Sequence, residues 1–351
     1  MRALQLTGWK QDPEFREVPE PDPGPGEVVV RIGGAGACHS DLHLMYDFEG
    51  GLLPYELPFT LGHENAGWVE ATGEGVAGLE IGEPVAVYGP WGCGRCHRCR
   101  RGMENYCIRQ AEIGAAGGGL GRDGGMAPLM LIPDSRLLVP IGDLDPVDAA
   151  PLTDAALTPY HAIKRSLHLL GAGSSAVVIG AGGGLGHMAI QILRAITGTN
   201  VIAVDQNTPA LAVAEESGAH HGVVSGEHAA EQIRDLTSGL GAEVVLDLVG
   251  VDATLQLAAA TVRSLGHLTL VGIGGGILPV GFFTVPYEVS VATTYWGSVT
   301  ELMEVITLAQ RGHLTLHITR FGFDDAIDAY ENLRKGTVRG RAVVEPGSAA
   351  G

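Results

Sequence analysis

The sequence predicts an α/β protein in which a β-rich domain precedes a doubly wound parallel sheet of six strands. Short segments that alternate apolar and polar residues fill the first part of the chain, as half-buried antiparallel strands do. From Ser175 onwards, continuous apolar runs instead alternate with stretches of helical spacing, which is typical of a parallel sheet covered by helices. The length of 351 residues accommodates two such domains.

The elements follow in order along the chain. Up to about residue 154 we expect an all-β, loop-rich domain with the strands MRALQLTG, GPGEVVVRIGG, AGWVEATG and EPVAVYG. The expected strands of the parallel sheet are AVVIG (176–180), NVIAVD (200–205), HGVVS, EVVLDLVG, HLTLVGIG and VSVATTYWG. The helices between them are LGHMAIQILRAIT, TPALAVAEES, one near 228–237 and one near 252–265. After about Gly297 a further helix, ELMEVITLAQRG, and short strands such as GRAVVEP complete the chain.

Composition indicates a compact globular protein and argues against two classes of partner. Hydrophobic residues make up 45% and charged residues 18%, with a mean hydropathy of +0.18. The net charge of −18 and the pI near 5.0 repel nucleic acids and anionic membranes, which require a positive surface. No apolar stretch reaches the ~18 residues of a spanning helix, and the start lacks an apolar signal region. We therefore expect a cytoplasmic protein.

A glycine-rich turn between the first expected strand and helix predicts a dinucleotide site. Glycines let a backbone approach a pyrophosphate, and the following helix N-terminus offers free N–H groups. The residues of this turn are Gly180, Gly182, Gly183, Gly184, Leu185 and Gly186. An ordinary tight turn would look similar, but Asp205 ends the next strand, 23 residues after Gly182, where a carboxylate can bind ribose hydroxyls. Its charge would repel a 2′-phosphate, which favours NAD over NADP.

Four of the five cysteines lie within one short segment and predict a structural zinc site. They are Cys93, Cys96, Cys99 and Cys107. Four thiolates suit the tetrahedral coordination of zinc and leave no position for a substrate. The alternative is a cluster of four thiols without metal, and CxxC spacing in a chain without a secretory signal favours the metal.

Several motifs together resemble the zinc-containing medium-chain alcohol dehydrogenases over essentially the whole chain. They are PGPGEVVVRI, Cys38-His39-Ser40-Asp41, Gly62-His63-Glu64, the four-cysteine segment, and Gly183-Gly184-Leu185-Gly186 before a helix. The resemblance implies a GroES-like catalytic domain formed by residues 1–155 and 298–351. It also implies a Rossmann domain for NAD at residues 156–297.

The resemblance further implies a catalytic zinc ion held by Cys38, His63 and Asp154, and so two zinc ions per subunit. Many relatives have a cysteine where this chain has Asp154, but all five cysteines of this chain already have a role. An aspartate here is similar to the secondary-alcohol dehydrogenases of the family. It keeps the −1 charge of a thiolate, and three protein ligands leave the fourth position of zinc open.

Other roles follow from the same resemblance. Ser40 is expected to hydrogen-bond the substrate oxygen and pass its proton through the ribose hydroxyls to His43. Asp41 would orient His63, and Glu64 would lie behind the metal. His43 as a plain surface residue and Glu64 as part of a structural pair are the alternatives. The remaining expectations concern the nicotinamide face (Thr158), the pyrophosphate (His39 and Arg341, with Arg339 as a rival for Arg341) and the substrate pocket (Tyr55 and Trp296).

The expected function is therefore NAD-dependent oxidation of a small-molecule secondary alcohol, or reduction of its ketone, by a homo-oligomer, with a tetramer favoured over a dimer. A related zinc dehydrogenase for polyols or formaldehyde is the alternative among enzymes. A non-catalytic NAD-binding zinc scaffold is the alternative from another class, since a fold does not fix a function.

Overall fold

The computed structural model describes residues 1–347, which form two compact units. The first unit comprises Met1–Asp154, Gly297–Gln310 and the described residues from Leu316 onwards. The second comprises Ala155–Trp296 together with Arg311–Thr315.

Strands and α-helices succeed one another along the described part of the chain. The strands are β1 (Arg2–Leu6), β2 (Glu14–Glu17), β3 (Val28–Ala37), β4 (Phe59–Thr60), β5 (Glu64–Thr72), β6 (Pro84–Val87), β7 (Gly117–Gly118), β8 (Gly121–Arg122), β9 (Leu129–Ile132), β10 (Leu138–Pro140), β11 (Ser175–Ile179), β12 (Asn200–Asp205), β13 (His221–Val224), β14 (Ala242–Asp247), β15 (Val262–Leu270), β16 (Ser290–Thr293), β17 (Ile318–Gly322) and β18 (Arg341–Glu345). The helices are α1 (His39–Leu42), α2 (Gln110–Ile113), α3 (Pro146–Ala149), α4 (Leu157–Ser166), α5 (Gly184–Ile196), α6 (Thr208–Glu216), α7 (Ala229–Leu236), α8 (Asp252–Thr261), α9 (Val299–Gln310) and α10 (Ala326–Arg334).

The first unit is built on a seven-stranded sheet with the order β10-β6-β5-β3-β18-β17, and β9 also pairs with β3. The central strand β3 has the sequence VVVRIGGAGA and is buried along almost its whole length. Its valines suit a pleated surface, and its small residues allow other segments to approach closely. A Cβ atom at Gly34, for example, would lie 2.8 Å from the backbone of Val147 in α3.

The expectation of an all-β first domain is wrong in detail, because this unit also contains helices. The segment that follows β3 begins α1, and a π-helical turn at His43–Asp47 continues it. Asp41 explains the helical turn, because its carboxylate accepts the backbone N–H of Cys38 (3.1 Å) and so caps the helix. Cys38, at the helix start, is thereby held in a fixed position.

The second unit confirms the predicted doubly wound sheet. Its six strands are parallel and follow the order β13-β12-β11-β14-β15-β16, which is the arrangement of dinucleotide-binding folds. The central strand β11 pairs with β12 on one side and β14 on the other, and it is buried throughout. Strands covered on both faces read as continuous apolar runs, which is why the sequence revealed them.

One helix of this unit ends earlier than the sequence pattern predicts. The sequence pattern places a helix near 252–265, but α8 ends at Thr261 and β15 starts at Val262. In β15, Val262 pairs with Ala242 of β14, and the next pair is His267 with Val244. The residues between Val262 and His267 therefore form an irregularity in the strand, which a periodic sequence pattern cannot predict. Leu265 within it adopts a φ of 64°.

The C-terminal part of the chain, expected to belong wholly to the first domain, also differs from expectation in one segment. The family resemblance places residues 298–351 in the first domain, but Arg311–Thr315 belongs to the second unit. The amide of Gln191 on α5 holds it there: this side chain donates to the carbonyl of Thr315 (2.8 Å) and accepts from its N–H (2.7 Å). Among residues 1–347, no helix is both long and apolar enough to cross a membrane.

Candidate metal centres and dinucleotide turn

Cys38, His63 and Asp154, far apart in sequence, meet in the first unit. Cys38 lies where β3 passes into α1, His63 immediately precedes β5, and Asp154 follows a 3-10 turn at Ala150–Thr153. Their ligand atoms all lie within 4.8 Å of one another. Cys38 and His63 are 5% and 1% exposed, and Asp154 is 9% exposed.

The spacing of these donor atoms fits a tetrahedral zinc ion. With zinc bonds of 2.0–2.3 Å, sulfur–oxygen and nitrogen–oxygen pairs should lie about 3.3 to 3.5 Å apart. In the structure Oδ2 of Asp154 is 3.9 Å from Sγ of Cys38 and 3.5 Å from Nε2 of His63. One thiolate, one imidazole and one carboxylate form a catalytic type of donor set, because three protein ligands leave a coordination position for a substrate.

His63 is held in place by a buried carboxylate. Its Nδ1 lies 2.9 Å from Oδ1 of Asp41, which is fully buried. A carboxylate can only accept here, so Nδ1 carries a proton, and Nε2 on the other side of the ring faces Asp154. Burial by itself would lower the pKa of His63, but Asp41 and Asp154 raise it well above its usual value. Tyr330 on α10 also donates to Asp41, a contact that no sequence motif indicated.

Glu64 and Arg341 form a buried pair beside the cluster. Nε of Arg341 donates to Glu64 over 2.7 Å, Nη2 donates to the other carboxylate oxygen, and Nη2 lies 4.0 Å from Oδ2 of Asp154. Burial opposes the charge of Arg341, but Cys38 and Glu64 hold the pKa of its guanidinium well above the usual value. Arg341 therefore offsets part of the negative charge of the cluster, and its expected contact with a pyrophosphate stays a prediction.

The other residues expected near the substrate take up varied positions in this unit. Oγ of Ser40 lies 3.6 Å from Sγ of Cys38, next to the donor atoms. His43 is half-buried, and its Nδ1 pairs with Asp47. Tyr55 is half-buried and packs edge-on against Phe59; burial raises its pKa while the charge of His63 lowers it. His39 lies on the exposed side of α1.

The four-cysteine segment folds back on itself into a second cluster. All four sulfur atoms lie within 4.8 Å of one another, with Sγ of Cys99 3.4 Å from that of Cys96 and 4.0 Å from that of Cys93. Four thiolates around zinc should be about 3.8 Å apart. Backbone N–H groups of Cys96, Cys99 and Arg109 point at these sulfurs, as suits thiolates. This cluster therefore fits a closed tetrathiolate site.

The glycine-rich turn of the second unit joins β11 to α5. Gly180 adopts a φ of +81°, a conformation that favours glycine. A Cβ atom at Gly186 would lie 2.1 Å from the carbonyl oxygen of Gly180, and one at Gly182 would lie 2.4 Å from that of Ala210. Oδ2 of Asp205 accepts the N–H of Gly182 (2.8 Å), which fixes the carboxylate beside the turn. The turn is thus packed too tightly for any side chain at these two glycines.

Two further predicted residues belong to the second unit. Thr158 is buried near the start of α4. Trp296 is buried, packs against Tyr295 and has a φ of 52°. Their expected roles at the nicotinamide and in the substrate pocket stay predictions, as does the choice between Arg339 and Arg341.

Comparison with known proteins gives matches over the whole chain. Residues 24–143 match the model of the alcohol dehydrogenase GroES-like domain, and residues 184–311 match that of zinc-binding dehydrogenases. An NAD-dependent alcohol dehydrogenase of Sulfurisphaera tokodaii is 34% identical over 355 residues, which cover 99% of this chain and 100% of the relative. The crystal structure of the Aeropyrum pernix alcohol dehydrogenase has a TM-score of 0.91 and 36% identity, and covers 99% of this chain and 100% of its own. Acetophenone reductase of Geotrichum candidum, solved in complex with NAD, has a TM-score of 0.86 and 30% identity, with coverage of 99% and 98%.

Proposed function

The chain belongs to the zinc-containing medium-chain alcohol dehydrogenases, and we propose that it interconverts a secondary alcohol and its ketone with NAD. Alcohol and ketone oxidoreduction with NAD agrees with the names of the similar proteins. The preference for secondary over primary alcohols is the more specific part of the proposal. It is supported by Asp154 in place of a third cysteine and by the similarity to acetophenone reductase.

The observation that carries the proposal is the contrast between the two clusters. Four sulfurs converge in one of them, which leaves no position for a ligand from outside. Three unlike donors converge in the other, and a polar hydroxyl, that of Ser40, lies beside them. We therefore assign structural zinc to the first cluster and catalytic zinc to the second, giving two zinc ions per subunit.

The chemistry divides between the bound groups and the residues of the chain. Zinc at the three-donor cluster would make the hydroxyl of an alcohol more acidic, and NAD would accept the hydride from the carbon that bears it. Ser40 accepts the hydroxyl proton and passes it on, and His43 releases it to solvent. Asp41 keeps His63 in the tautomer whose Nε2 faces the cluster. Glu64 and Arg341 form a buried ion pair beside the three-donor cluster.

The cofactor and pocket assignments are part of the same proposal. Asp205 would bind the adenosine ribose, which favours NAD, and the glycine turn would hold the pyrophosphate at the start of α5. Thr158 would contact the nicotinamide, and His39 and Arg341 the pyrophosphate. Tyr55 and Trp296 would shape the substrate pocket.

We also propose that the protein is a cytoplasmic homotetramer. Large apolar side chains of the second unit are exposed, among them Ile277 (77%), Phe282 (74%) and Phe283 (89%). An apolar surface of this kind favours association with another copy of the chain. All five cysteines are free in the structure, as is usual in a reducing compartment, and this supports the cytoplasm. Light scattering of the purified protein tests the oligomeric state.

The proposed function is tested by following NADH formation with matched primary and secondary alcohols, sorbitol and formaldehyde, before and after chelation. We expect 2-propanol to be used better than 1-propanol, and activity to be lost on chelation and to return with zinc. An Asp154→Ala variant should lack activity, whereas Asp324→Asn, at an exposed carboxylate that pairs with Arg2 outside the cluster, should keep it. Equal turnover of all substrates would refute the preference for secondary alcohols. Full activity of the zinc-free protein would refute the assignment of the catalytic metal.

A further inference from the structure

A tyrosine from the C-terminal part of the chain reaches the carboxylate that orients the expected zinc ligand. Tyr330 lies on α10, and its hydroxyl donates to Oδ2 of Asp41 over 3.1 Å. Tyr330 is 3% exposed, and Asp41 is fully buried. This contact joins positions 289 residues apart in the chain.

Three groups fix the carboxylate of Asp41. Oδ2 accepts the backbone N–H of Cys38 and the hydroxyl of Tyr330, each over 3.1 Å, and Oδ1 accepts Nδ1 of His63 over 2.9 Å. Two of these three partners are themselves expected zinc ligands. Any rotation of the carboxylate therefore changes the direction of the His63 ring and the position of Cys38 together.

We propose that Tyr330 is a positioning residue for the catalytic metal, acting on His63 and Cys38 through Asp41. The inference rests on the proposed function, because it takes the three-donor cluster as the zinc site. Groups that orient a ligand from outside the coordination sphere affect metal affinity by roughly 10- to 100-fold. The hydroxyl of Tyr330 acts one step further away, so we expect an effect near the lower limit.

The hydroxyl, and not the ring, carries this role. The ring is buried on α10, and a phenylalanine would keep the same ring there. Without the hydroxyl, Oδ2 of Asp41 would lose one donor and keep the backbone N–H of Cys38. Burial and the nearby charge of Asp41 raise the pKa of Tyr330 well above its usual value, so the phenol stays protonated and donates.

The test compares Tyr330→Phe with a matched control, Tyr88→Phe, in the zinc-loaded enzyme. Tyr88 is a buried tyrosine of the same unit whose hydroxyl donates to the carbonyl of Gly297 over 2.6 Å, away from Asp41. Each change removes one buried hydroxyl. Loss of each zinc ion to a chelator is followed with a colorimetric indicator, and thermal unfolding is recorded in parallel. The absorption spectrum of the cobalt-substituted enzyme reports the geometry of the catalytic site.

We expect Tyr330→Phe to lose the catalytic metal roughly tenfold faster than the unmodified enzyme, with a shifted cobalt spectrum and unchanged retention of the structural zinc. Tyr88→Phe should lower the unfolding temperature but retain both metals at the original rate. Equal rates of metal loss in Tyr330→Phe and the unmodified enzyme would overturn the inference, and so would an equal acceleration in both variants. An unmodified enzyme without metal at Cys38 would instead refute the proposed function.

Discussion

Replacing Asp205 should change which dinucleotide the enzyme uses. Its carboxylate ends β12, where Oδ2 accepts the N–H of Gly182 (2.8 Å) and Oδ1 that of Gln206 (2.7 Å), so its position is fixed beside the glycine turn. In NADP a 2′-phosphate would occupy the region of the ribose hydroxyls. At about 5 Å and an effective dielectric constant of about 20, one pair of like unit charges repels by about 3 kcal/mol.

The expected magnitude follows from this repulsion and from the lost hydrogen bonds. Removing the charge in Asp205→Gly should raise kcat/KM for NADP by on the order of 100-fold, since 1.4 kcal/mol corresponds to a factor of ten. The hydrogen bonds to the ribose of NAD, worth roughly 1.5 to 3 kcal/mol, are lost as well, so kcat/KM for NAD should fall by at least about tenfold. The preference for NAD over NADP should thus shift by about 1,000-fold.

Initial rates with each cofactor at a saturating alcohol concentration give these values. Asp205→Asn is the matched control, because the amide keeps the shape and can still accept the N–H of Gly182 but carries no charge. It should gain activity with NADP almost as much as Asp205→Gly does, while losing less activity with NAD. An unchanged ratio of the two cofactors in both variants would refute the placement of the ribose at Asp205.

Three further predictions concern the metal clusters and the buried ion pair. Asp154→Ala should retain one zinc per subunit, whereas Asp154→Cys should retain two, because a thiolate restores the third donor. Metal analysis of both proteins checks this, and two zinc ions in the alanine variant would contradict it. Cys99→Ser should release the zinc of the four-cysteine cluster and lower the unfolding temperature; an unchanged zinc content would argue against metal there. Arg341→Met should lower the free energy of unfolding by about 3 to 5 kcal/mol because Glu64 is left buried and unpaired. Adding Glu64→Gln should recover part of this loss in denaturant titrations, and no recovery would show that the pair is not coupled.

Much of the fold could be predicted from the sequence because periodicity and turn chemistry are local. The parallel sheet appeared as apolar runs such as NVIAVD, and the structure has it as β12 with its neighbours in the predicted type of sheet. The helical turn after Cys38 could not be seen, since it depends on the carboxylate of Asp41 and spans only His39–Leu42. The early start of β15 was missed for a similar reason: its irregular pairing breaks the period of two.

The candidate site divides in the same way. Short motifs gave the residue types that can hold zinc, and a resemblance to a family singled out Asp154 among many aspartates. Neither could reveal that Tyr330 bonds Asp41, or that Arg341 pairs with Glu64 beside Asp154. These contacts join residues 289 and 277 positions apart.

The kinds of donor atoms, the glycine turn and the succession of strands and helices can all be read from short stretches of residues, because each depends on neighbours in the chain. Long-range packing selects which donors meet, since β3, β5 and the turn before Asp154 must pack before Cys38, His63 and Asp154 come within 4.8 Å. It also decided how they are held, because α10 must return to α1 before Tyr330 can reach the carboxylate of Asp41.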